Sequence, residues 1–316
     1  MSGPRVSIVI PYLKGEATIA RALDSVQRQS MRDFEVVAVS DGSTDRTTAL
    51  LQDAARSDPR IRTIGYPDNR GPSYARNRAI DASTGEWVAV LDADDWYAPD
   101  RLERMLAVGD GADVVVDNMM GIDPLDGTEV CPMWTAMPPS ITVSDIARAK
   151  VPGSRFDYGY LKPMYRRAFV ERHGLRYRED LRTAEDMLFL LECCVVAGAI
   201  RTVDAPLYFY NLQVSPKRQR ATGTTHTQPR VRDFGRALQA LADRLHDRLT
   251  PDERALVATR IAELYAGADV LEFRHAFYTK QYGAAARAVL TSTRVRRYIG
   301  DALLRKSGLR AAPVDG

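Results

Sequence analysis

The segment EWVAVLDADD, residues 86–95, decides how the first third of this chain is interpreted. Its apolar run has the length and composition of a buried β-strand. Three aspartates, Asp92, Asp94 and Asp95, follow within four positions of one another. Carboxylates this close together repel one another, so the end of the strand needs either a cation or hydrogen bonds that cap a turn.

Upstream of this segment, strand-like and helix-like stretches alternate. The sequence predicts strands at 6–11, 34–40, 61–66 and 86–92, and helices at 16–29, 44–56 and 71–83. Pro72 lies in the first turn of the third helix, where proline is well tolerated. This alternation is typical of an α/β fold, in which helices cover both faces of a mostly parallel sheet.

Beyond about residue 105 the alternation weakens. One further strand is predicted at 113–118, and the apolar stretch at 184–198 is predicted to be a buried helix. From about residue 231 to the end, the pattern is helical and carries no strand signals. A helical C-terminal extension is therefore expected.

Composition sets broad limits. The chain has 316 residues and a formal net charge of +3, which is ordinary for a globular protein and does not indicate a nucleic-acid partner. No apolar span reaches the roughly 20 residues needed to cross a membrane, and the N-terminus is predicted to be a first strand rather than a signal peptide. Three cysteines form neither a disulfide framework nor a metal site. We therefore expect a protein of the reducing cytoplasm.

The strand ends carry carboxylates in place of phosphate-binding loops. In open parallel sheets, ligands bind beyond the carboxyl ends of the strands. Neither G-x-G-x-x-G nor G-x-x-x-x-G-K-[ST] occurs, so dinucleotide and P-loop sites lack support. Asp92 and Asp94 would point the same way, and such oxygen ligands suit Mg²⁺ or Mn²⁺ bound to phosphate. The alternative is that Asp94 and Asp95 only cap the following turn.

Four segments occur in an order and spacing that are informative together. They are IVIPYLKGEATIARALDSV (8–26), VVAVSDGSTDRT (36–47), NRGPSYARNRAI (69–80) and GEWVAVLDADD (85–95). With them the chain resembles the family 2 glycosyltransferases, which have the GT-A fold, over about residues 5–212. The segment at 159–191 is most similar to bacterial exopolysaccharide glucosyltransferases of the succinoglycan type.

The resemblance implies a domain organisation. A GT-A domain would span 1–212, with a nucleotide-binding half at 1–105 and an acceptor-binding half at 106–212. A basic loop and a helical region would follow at 213–316. The fold class expected is thus α/β, a Rossmann-like, mostly parallel sheet flanked by helices.

The resemblance also implies a donor site for a UDP-sugar. Asp41 would bind the uracil edge, although an Asp-Gly pair also favours a simple turn. Arg76 would lie beside the nucleotide, unless it is a solvated helix residue. Asp92 would face the ribose and the sugar, Asp94 would hold a divalent metal (Mn²⁺ or Mg²⁺) on the diphosphate, and Asp95 would orient its neighbours. The implied donor-binding set is Pro11, Glu16, Asp41, Arg76, Asp92 and Ala93.

One position departs from the family pattern. Leu13 stands where an aromatic residue often packs against the base, so that stacking contact is not expected here. Lys14 is a candidate for a phosphate contact instead.

A second acidic site begins the predicted helix at 184–198. Thr183 and Asp186 fit a capping box, in which both would only stabilise the helix end. In the family, a Glu-Asp pair at this point supplies the catalytic base, which implies Asp186 with Glu185 beside it. An inverting transfer needs one base to deprotonate the acceptor, whereas a double-displacement hydrolase would need two closely paired carboxylates. Spacing alone does not separate these mechanisms.

Two basic stretches have two interpretations each. Residues 215–223 would either close over the diphosphate or stay solvated, and His226 in the same loop is expected to be solvated. Residues 294–310 place Val295, Ile299 and Leu303 on one side of a basic helix. That helix would either lie on anionic lipid or pack on its own domain.

The expected function is an inverting, metal-dependent glycosyltransferase of bacterial polysaccharide synthesis. It would move a sugar, with glucose favoured, from a UDP-sugar to a glycan or a polyprenyl-diphosphate-linked oligosaccharide, in the cytoplasm or as a peripheral protein at the inner face of the cell membrane. A sugar nucleotidyltransferase is a rival, but it would need a glycine-rich N-terminal loop. A non-catalytic sugar-nucleotide or glycan-binding protein is the other rival, supported only by the departure at Leu13 and Lys14.

Overall fold

The structure is a computed structural model that describes residues 3–148, 156–212 and 231–306, the last four of these by their backbone alone. The chain divides into two compact units, Met1–Thr227 and Gln228–Gly316. The basic loop at 215–223 and His226 lie outside the described residues, so the interpretations given for them stay predictions. No helix in the described part of the chain is long and apolar enough to cross a membrane.

The first unit is built on one mixed sheet. Its strands are β1 (Val6–Tyr12), β2 (Phe34–Asp41), β3 (Ile61–Tyr66), β4 (Trp87–Val90), β5 (Trp96–Tyr97), β6 (Val114–Ile122), β7 (Glu129–Pro132), β8 (Ser140–Ile141), β9 (Met164–Arg166) and β10 (Ile200–Asn211). The order across the sheet is β3-β2-β1-β4-β9-β6-β10-β5, with β7 paired to β6 and β8 to β10. Strands β1 to β4 are parallel, and β9 runs antiparallel to both β4 and β6.

Helices cover this sheet. They are α1 (Ile19–Gln27), α2 (Thr47–Ser57), α3 (Pro72–Ala82), α4 (Arg101–Val108), α5 (Val143–Ala147), α6 (Arg167–His173) and α7 (Glu185–Ala197). All seven residues of β1 are buried, as expected for a strand that is covered on both faces. The predicted α/β fold, with a mostly parallel sheet flanked by helices, is confirmed.

The predicted elements shift at their ends for local reasons. The strand predicted at 86–92 ends at Val90, because a turn follows in which the Asp95 N–H donates to the Asp92 carbonyl at 3.1 Å. The helix predicted at 16–29 begins only at Ile19, and the strand predicted at 113–118 continues to Ile122. Each parallel strand still delivers its carboxyl end to one edge of the sheet, where β1, β2 and β4 lie side by side.

A buried ion pair fixes the segment just before β9. The Arg101 guanidinium, at the start of α4, donates to both carboxylate oxygens of Asp117 on β6, at 2.9 and 2.7 Å. It also donates to the backbone carbonyl of Lys162 at 2.9 Å. Both charged groups are almost fully buried, so the pair depends on these hydrogen bonds, which satisfy Nε and Nη2 of Arg101. The buried Arg101 therefore fixes the backbone of Lys162 through the hydrogen bond to its carbonyl oxygen.

The second unit is helical throughout its described residues, as predicted. Its helices are α8 (Val231–Arg244), α9 (Pro251–Tyr278), α10 (Tyr282–Thr291) and α11 (Thr293–Lys306). The start of α9 is set by a capping box between Thr250 and Glu253, with Pro251 in the first turn. Val295 on α11 is fully buried and Ile299 is half-buried, which favours packing of this end of the tail on its own unit. The side chain of Leu303 and residues 307–310 lie outside the described residues, so the two interpretations of residues 294–310 stay predictions.

Candidate active site

The centre of the site is a closed ring of four charged side chains, Asp92, Arg76, Asp186 and Lys162. Arg76 Nη2 donates to Asp92 Oδ1 at 2.7 Å, and Arg76 Nη1 lies 3.2 Å from Asp186 Oδ1. Lys162 Nζ lies 2.8 Å from Asp92 Oδ2 and also contacts Asp186 Oδ2. Each cation thus bridges the same two carboxylates. The ring, defined by these four residues, joins the end of β4, α3, the segment before β9, and the start of α7.

Both cations of the ring are buried. The side chain of Lys162 is 5% exposed, and Arg76 is buried to a similar degree. Burial lowers the pKa of Lys162, but the charges of Asp186 and Asp92 outweigh that effect and hold its pKa above the ordinary value. Burial likewise raises the pKa of Asp92, and Lys162 and Arg76 reverse the shift so that its pKa falls below the usual range. The ring therefore consists of charged groups that stabilise one another.

The helix start that carries the second acidic pair is not a capping box. The N-cap residue is Ala184, which has a left-handed φ of 62° and no side-chain capping bond. The capping interpretation of Thr183 and Asp186 is therefore wrong. Glu185 is buried and accepts a hydrogen bond from Arg76 Nη1 at 2.8 Å, while Asp186 faces the ring. Asp186 Oδ1 accepts no hydrogen bond but is ion-paired with Arg76 Nη1, so each of its two oxygens faces a cation of the ring.

The three aspartates after β4 differ in environment. Asp95 is buried and accepts hydrogen bonds from the Tyr208 hydroxyl at 2.8 Å and the Asn211 N–H at 2.8 Å. It anchors the end of β10 beneath the cluster. The Asp94 side chain is exposed, yet it stands among enough protein atoms that desolvation, together with the charge of Asp92, raises its pKa. A carboxylate disfavoured in this way gains from a cation.

The site fits a divalent ion only if the donor supplies ligands. Among the described residues, no three carboxylate, histidine or cysteine side chains are grouped as a metal site. Asp94 offers one open carboxylate of the hard-oxygen type. Mg²⁺ and Mn²⁺ are commonly held by one or two carboxylates together with substrate phosphates, so this donor set is compatible with an ion that arrives with the diphosphate.

The other predicted donor-site residues lie on the neighbouring strand ends. Asp41 is buried at the end of β2, and its carboxylate accepts hydrogen bonds from the N–H groups of Arg70 (2.6 Å) and Gly71 (2.9 and 3.0 Å). It thereby orders the loop that begins α3, and its contact with a uracil edge stays a prediction. Pro11 is buried in β1, and Ala93 is buried beside Asp92.

The loop after β1 is tied to the start of α2. Glu16 Oε2 accepts a hydrogen bond from the Arg46 N–H at 3.2 Å, and the Lys14 N–H donates to Ser43 Oγ at 2.9 Å. Leu13 is exposed, so no aromatic face covers this part of the edge. Lys14 has a left-handed φ of 53°, which a non-glycine residue adopts only in a well-determined loop.

Two cations of the site were missed in the sequence. Lys162 stands alone between apolar residues and a proline, and no spacing pattern links it to Asp92, which lies 70 positions earlier. Arg21 on α1 donates from Nη2 to the Asp94 carbonyl at 3.1 Å, and its guanidinium lies 3.6 Å from the ring centre of Trp96. Only the antiparallel insertion of β9 beside β4 brings Lys162 to the strand end.

One known protein family matches the sequence of this chain. The family model described as "Glycosyl transferase family 2" matches residues 7–172, which is more than half of the chain and includes three of the four ring residues, Arg76, Asp92 and Lys162. The chain belongs to glycosyl transferase family 2. The resemblance seen in the sequence motifs is thus confirmed.

Individual relatives agree with this assignment. The chain is 38% identical over 216 residues to the succinoglycan biosynthesis protein ExoO of Rhizobium meliloti, covering 66% of this chain and 61% of that one. It is 30% identical over 227 residues to the putative glycosyltransferase EpsH of Bacillus subtilis, covering 70% and 64%. The chain thus spans somewhat less than two thirds of the length of these relatives. The succinoglycan-type resemblance is confirmed.

A solved structure supports the fold. TarS residues 1–349 from Staphylococcus aureus, crystallised in complex with UDP, superposes with a TM-score of 0.62 at 25% identity. The match covers 83% of this chain and 71% of that chain. This family 2 glycosyltransferase therefore has the GT-A architecture expected from its sequence.

Proposed function

We propose that this family 2 member is an inverting glycosyltransferase that uses a UDP-sugar donor. The proposal rests on the ring. In it, Asp92 after β4 and Asp186 at the start of α7 both bind the same two buried cations. In an α/β sheet, the first of these positions is where a nucleotide ligand binds. A second carboxylate held beside it by the same two cations suits proton removal from an acceptor hydroxyl.

The donor roles follow from the strand ends. Asp41, Pro11 and Glu16 border the nucleotide side, and Asp92 with Ala93 lies toward the ribose and the sugar. UDP in the TarS structure supports a uridine nucleotide. Arg76 takes a different part from the one its motif implied, since its guanidinium binds three carboxylates in the ring and at Glu185. Its role is to position the carboxylates rather than to contact the nucleotide.

Asp186 is the proposed base, and Glu185 supports it through Arg76. The acceptor hydroxyl attacks the anomeric carbon from the face opposite the diphosphate, the bond from that carbon to the diphosphate breaks, and Asp186 takes the hydroxyl proton. Inversion is proposed because Asp92 is assigned to the donor and Asp186 is then the one base, whereas a double displacement would need a second carboxylate as nucleophile. Asp94 would hold Mn²⁺ or Mg²⁺. When bound, such an ion neutralises charge on the departing diphosphate.

The acceptor and setting are proposed from the relatives. ExoO is a succinoglycan biosynthesis protein, so a glycan or a polyprenyl-diphosphate-linked oligosaccharide is the proposed acceptor class. Glucose is the favoured sugar for the same reason. A reducing cytoplasm, with the acceptor at the inner face of the cell membrane, is the proposed setting.

A donor panel tests the proposal. Release of UDP from UDP-glucose, UDP-galactose and UDP-GlcNAc is measured with and without Mn²⁺, alongside an Asp186→Asn control. We expect metal-dependent release of UDP from one donor, and its loss in the control. A sugar nucleotidyltransferase would instead convert UDP-sugar and added pyrophosphate to UTP and a sugar 1-phosphate, and a non-catalytic protein would bind donor without releasing UDP; either result would overturn the proposal.

A further inference from the structure

The helical unit exposes an aromatic cluster where α9 turns into α10. Phe277, Tyr278 and Tyr282, here called the aromatic tip, are 53%, 75% and 62% exposed. Their rings lie close together across the turn, with centroids 6.0 Å apart for Phe277 and Tyr278 and 6.4 Å apart for Phe277 and Tyr282. Scattered exposed apolar residues are normal on a protein surface, but a contiguous cluster of large ones indicates an interaction site.

The apolar surface continues along α10. Tyr282, Ala286 and Leu290 recur every fourth residue, so they share one face of the helix, and all three are exposed. Leu290 is 79% exposed. The buried side of the same helix includes Ala285. An apolar stripe thus points outward from a helix that already has a packed inner side.

The segment that forms this surface carries basic residues only, while the nearby Asp269 and Glu272 of α9 are paired with Arg232. Between residues 273 and 300 there is no aspartate or glutamate. The exposed basic residues in that stretch are Arg274, Lys280, Arg287, Arg294, Arg296 and Arg297. The formal charge of this stretch is +6 whereas the whole chain carries +3, so the remainder is net negative and the positive charge is concentrated here.

We propose that the aromatic tip and the outward face of α10 form a docking surface for an anionic lipid bilayer. Aromatic side chains with an apolar body favour the interfacial region of a membrane, and basic residues around them are attracted to acidic headgroups. This proposal goes beyond the proposed glycosyl transfer, and bilayer binding can be measured without donor or acceptor. It also assigns lipid contact to residues other than the tail stripe.

Other occupants fit the surface less well. A second copy of the chain would bring two stretches of like charge together, which opposes self-association. Single-stranded nucleic acid would use the aromatic rings for stacking, but Leu290, the most exposed residue of the surface, has no ring to stack. A bilayer uses both the aliphatic and the aromatic parts.

Co-sedimentation with vesicles tests the proposal on the full chain. Vesicles of 30% phosphatidylglycerol in phosphatidylcholine are compared with pure phosphatidylcholine, at low and high salt. We expect binding only to the acidic vesicles, and a clear decrease at high salt because screening weakens the attraction. The double variant Phe277→Ser with Tyr282→Ser should lower the partition coefficient by about tenfold or more, since it removes the apolar contact.

A matched control uses exposed apolar residues of the other unit. Leu125 and Val130 are 44% and 54% exposed, so Leu125→Ser with Val130→Ser makes a similar change at a different place. Its partition coefficient should equal that of the parent chain within about twofold, because those side chains take no part in the proposed surface. Circular dichroism melts would confirm that both double variants stay folded.

Several outcomes would overturn the proposal. They are absent binding to acidic vesicles, unchanged binding in the double variant at 277 and 282, or an equal loss in the control. Light scattering could give a further contrary outcome. If the chain forms a dimer and the double variant at 277 and 282 abolishes it, the surface binds a second copy of the chain and not a bilayer. Binding of a labelled oligonucleotide that depends on Phe277 and Tyr282, without vesicle binding, would assign the surface to nucleic acid.

Discussion

Replacing Lys162 by methionine tests the ring most directly. Methionine has a similar length and volume, so the change removes the charge while leaving the packing nearly intact. It leaves Asp92 and Asp186 facing each other across the position of the lost ammonium group, with Arg76 as their only shared cation. Both a stability effect and a rate effect should follow.

The size of the stability effect follows from burial. Removing one partner of a buried ion pair typically costs about 3–5 kcal/mol. Here Asp92 and Asp186 retain some contact with solvent and keep their ion pairs with Arg76. We therefore expect the free energy of unfolding to fall by about 2–3 kcal/mol, at or just below the lower end of that range. Lys162→Arg should recover part of this loss, because it restores the charge but not the compact geometry of an ammonium group.

The rate should fall because the proposed base is no longer held in place. Displacing a catalytic group by about 1 Å costs on the order of 10²-fold. We therefore expect kcat for UDP release to fall by about that factor, with a smaller change in donor KM. Urea unfolding and steady-state kinetics on the same preparations measure both effects.

Arg5→Met is a suitable control. Arg5 pairs with Glu86 at 2.9 Å, but both side chains are largely exposed, and such pairs contribute about 0–1 kcal/mol. Its kinetics should match those of the parent chain. If Lys162→Met unfolded within about 0.5 kcal/mol of the parent, the range of an ordinary surface change, and kept its kcat, the ring would have no part in holding the site.

Three further results are expected. Asp186→Asn should lower kcat by on the order of 10²–10⁴ with UDP affinity nearly unchanged, whereas retention of more than about a tenth of kcat would move the base to Glu185. EDTA should abolish turnover, and added Mn²⁺ should restore it. At the same Mn²⁺ concentration, the turnover rate of Asp94→Asn should be lower than that of the parent chain by on the order of 10²-fold. Burial alone would raise the pKa of Asp45, but hydrogen bonds from Thr47, Ser43 and the Glu16 N–H hold that pKa at about 2. The ionised carboxylate therefore stabilises the folded state above the unfolded pKa of about 3.9, and this stabilisation is lost as the pH falls through about 2. Asp45→Asn should lower the free energy of unfolding in urea by about 1–2 kcal/mol at pH 7, and by progressively less toward acid pH.

Local patterns were enough to predict the fold of the first unit. The strand at 61–66 has the predicted bounds, and β1, β2 and β4 differ from prediction by one or two residues at an end. Such runs are dominated by β-branched and apolar residues, and their order along the chain restricts the topology. The short antiparallel strand β9 could not be predicted in the same way, because three residues carry no periodicity.

The contacts between the residues of the site could be predicted from the sequence less completely than the fold. Motifs located Asp92, Asp94 and Asp186, but they did not show that Arg76 and Lys162 hold two of them together. Such long-range pairs depend on the order of strands in the sheet, which places β9 next to β4. The capping prediction at Thr183 failed for a related reason: a favourable local pattern lost to the tertiary contacts of Asp186 with two buried cations.

The ring has a consequence for how the two halves of the site communicate. Asp92 and Asp186 compete for the same ammonium group, since Lys162 contacts one oxygen of each. If the donor sugar or ribose draws Asp92 away from Lys162, the ammonium group remains with Asp186 and with the backbone support that Arg101 provides through the Lys162 carbonyl. Donor binding would then alter the surroundings of the proposed base through two side chains and no movement of the main chain. Because a shared partner makes the effects of neighbouring residues non-additive, a double substitution of Asp92 and Asp186 should change kcat by a factor that differs from the product of the two separate factors.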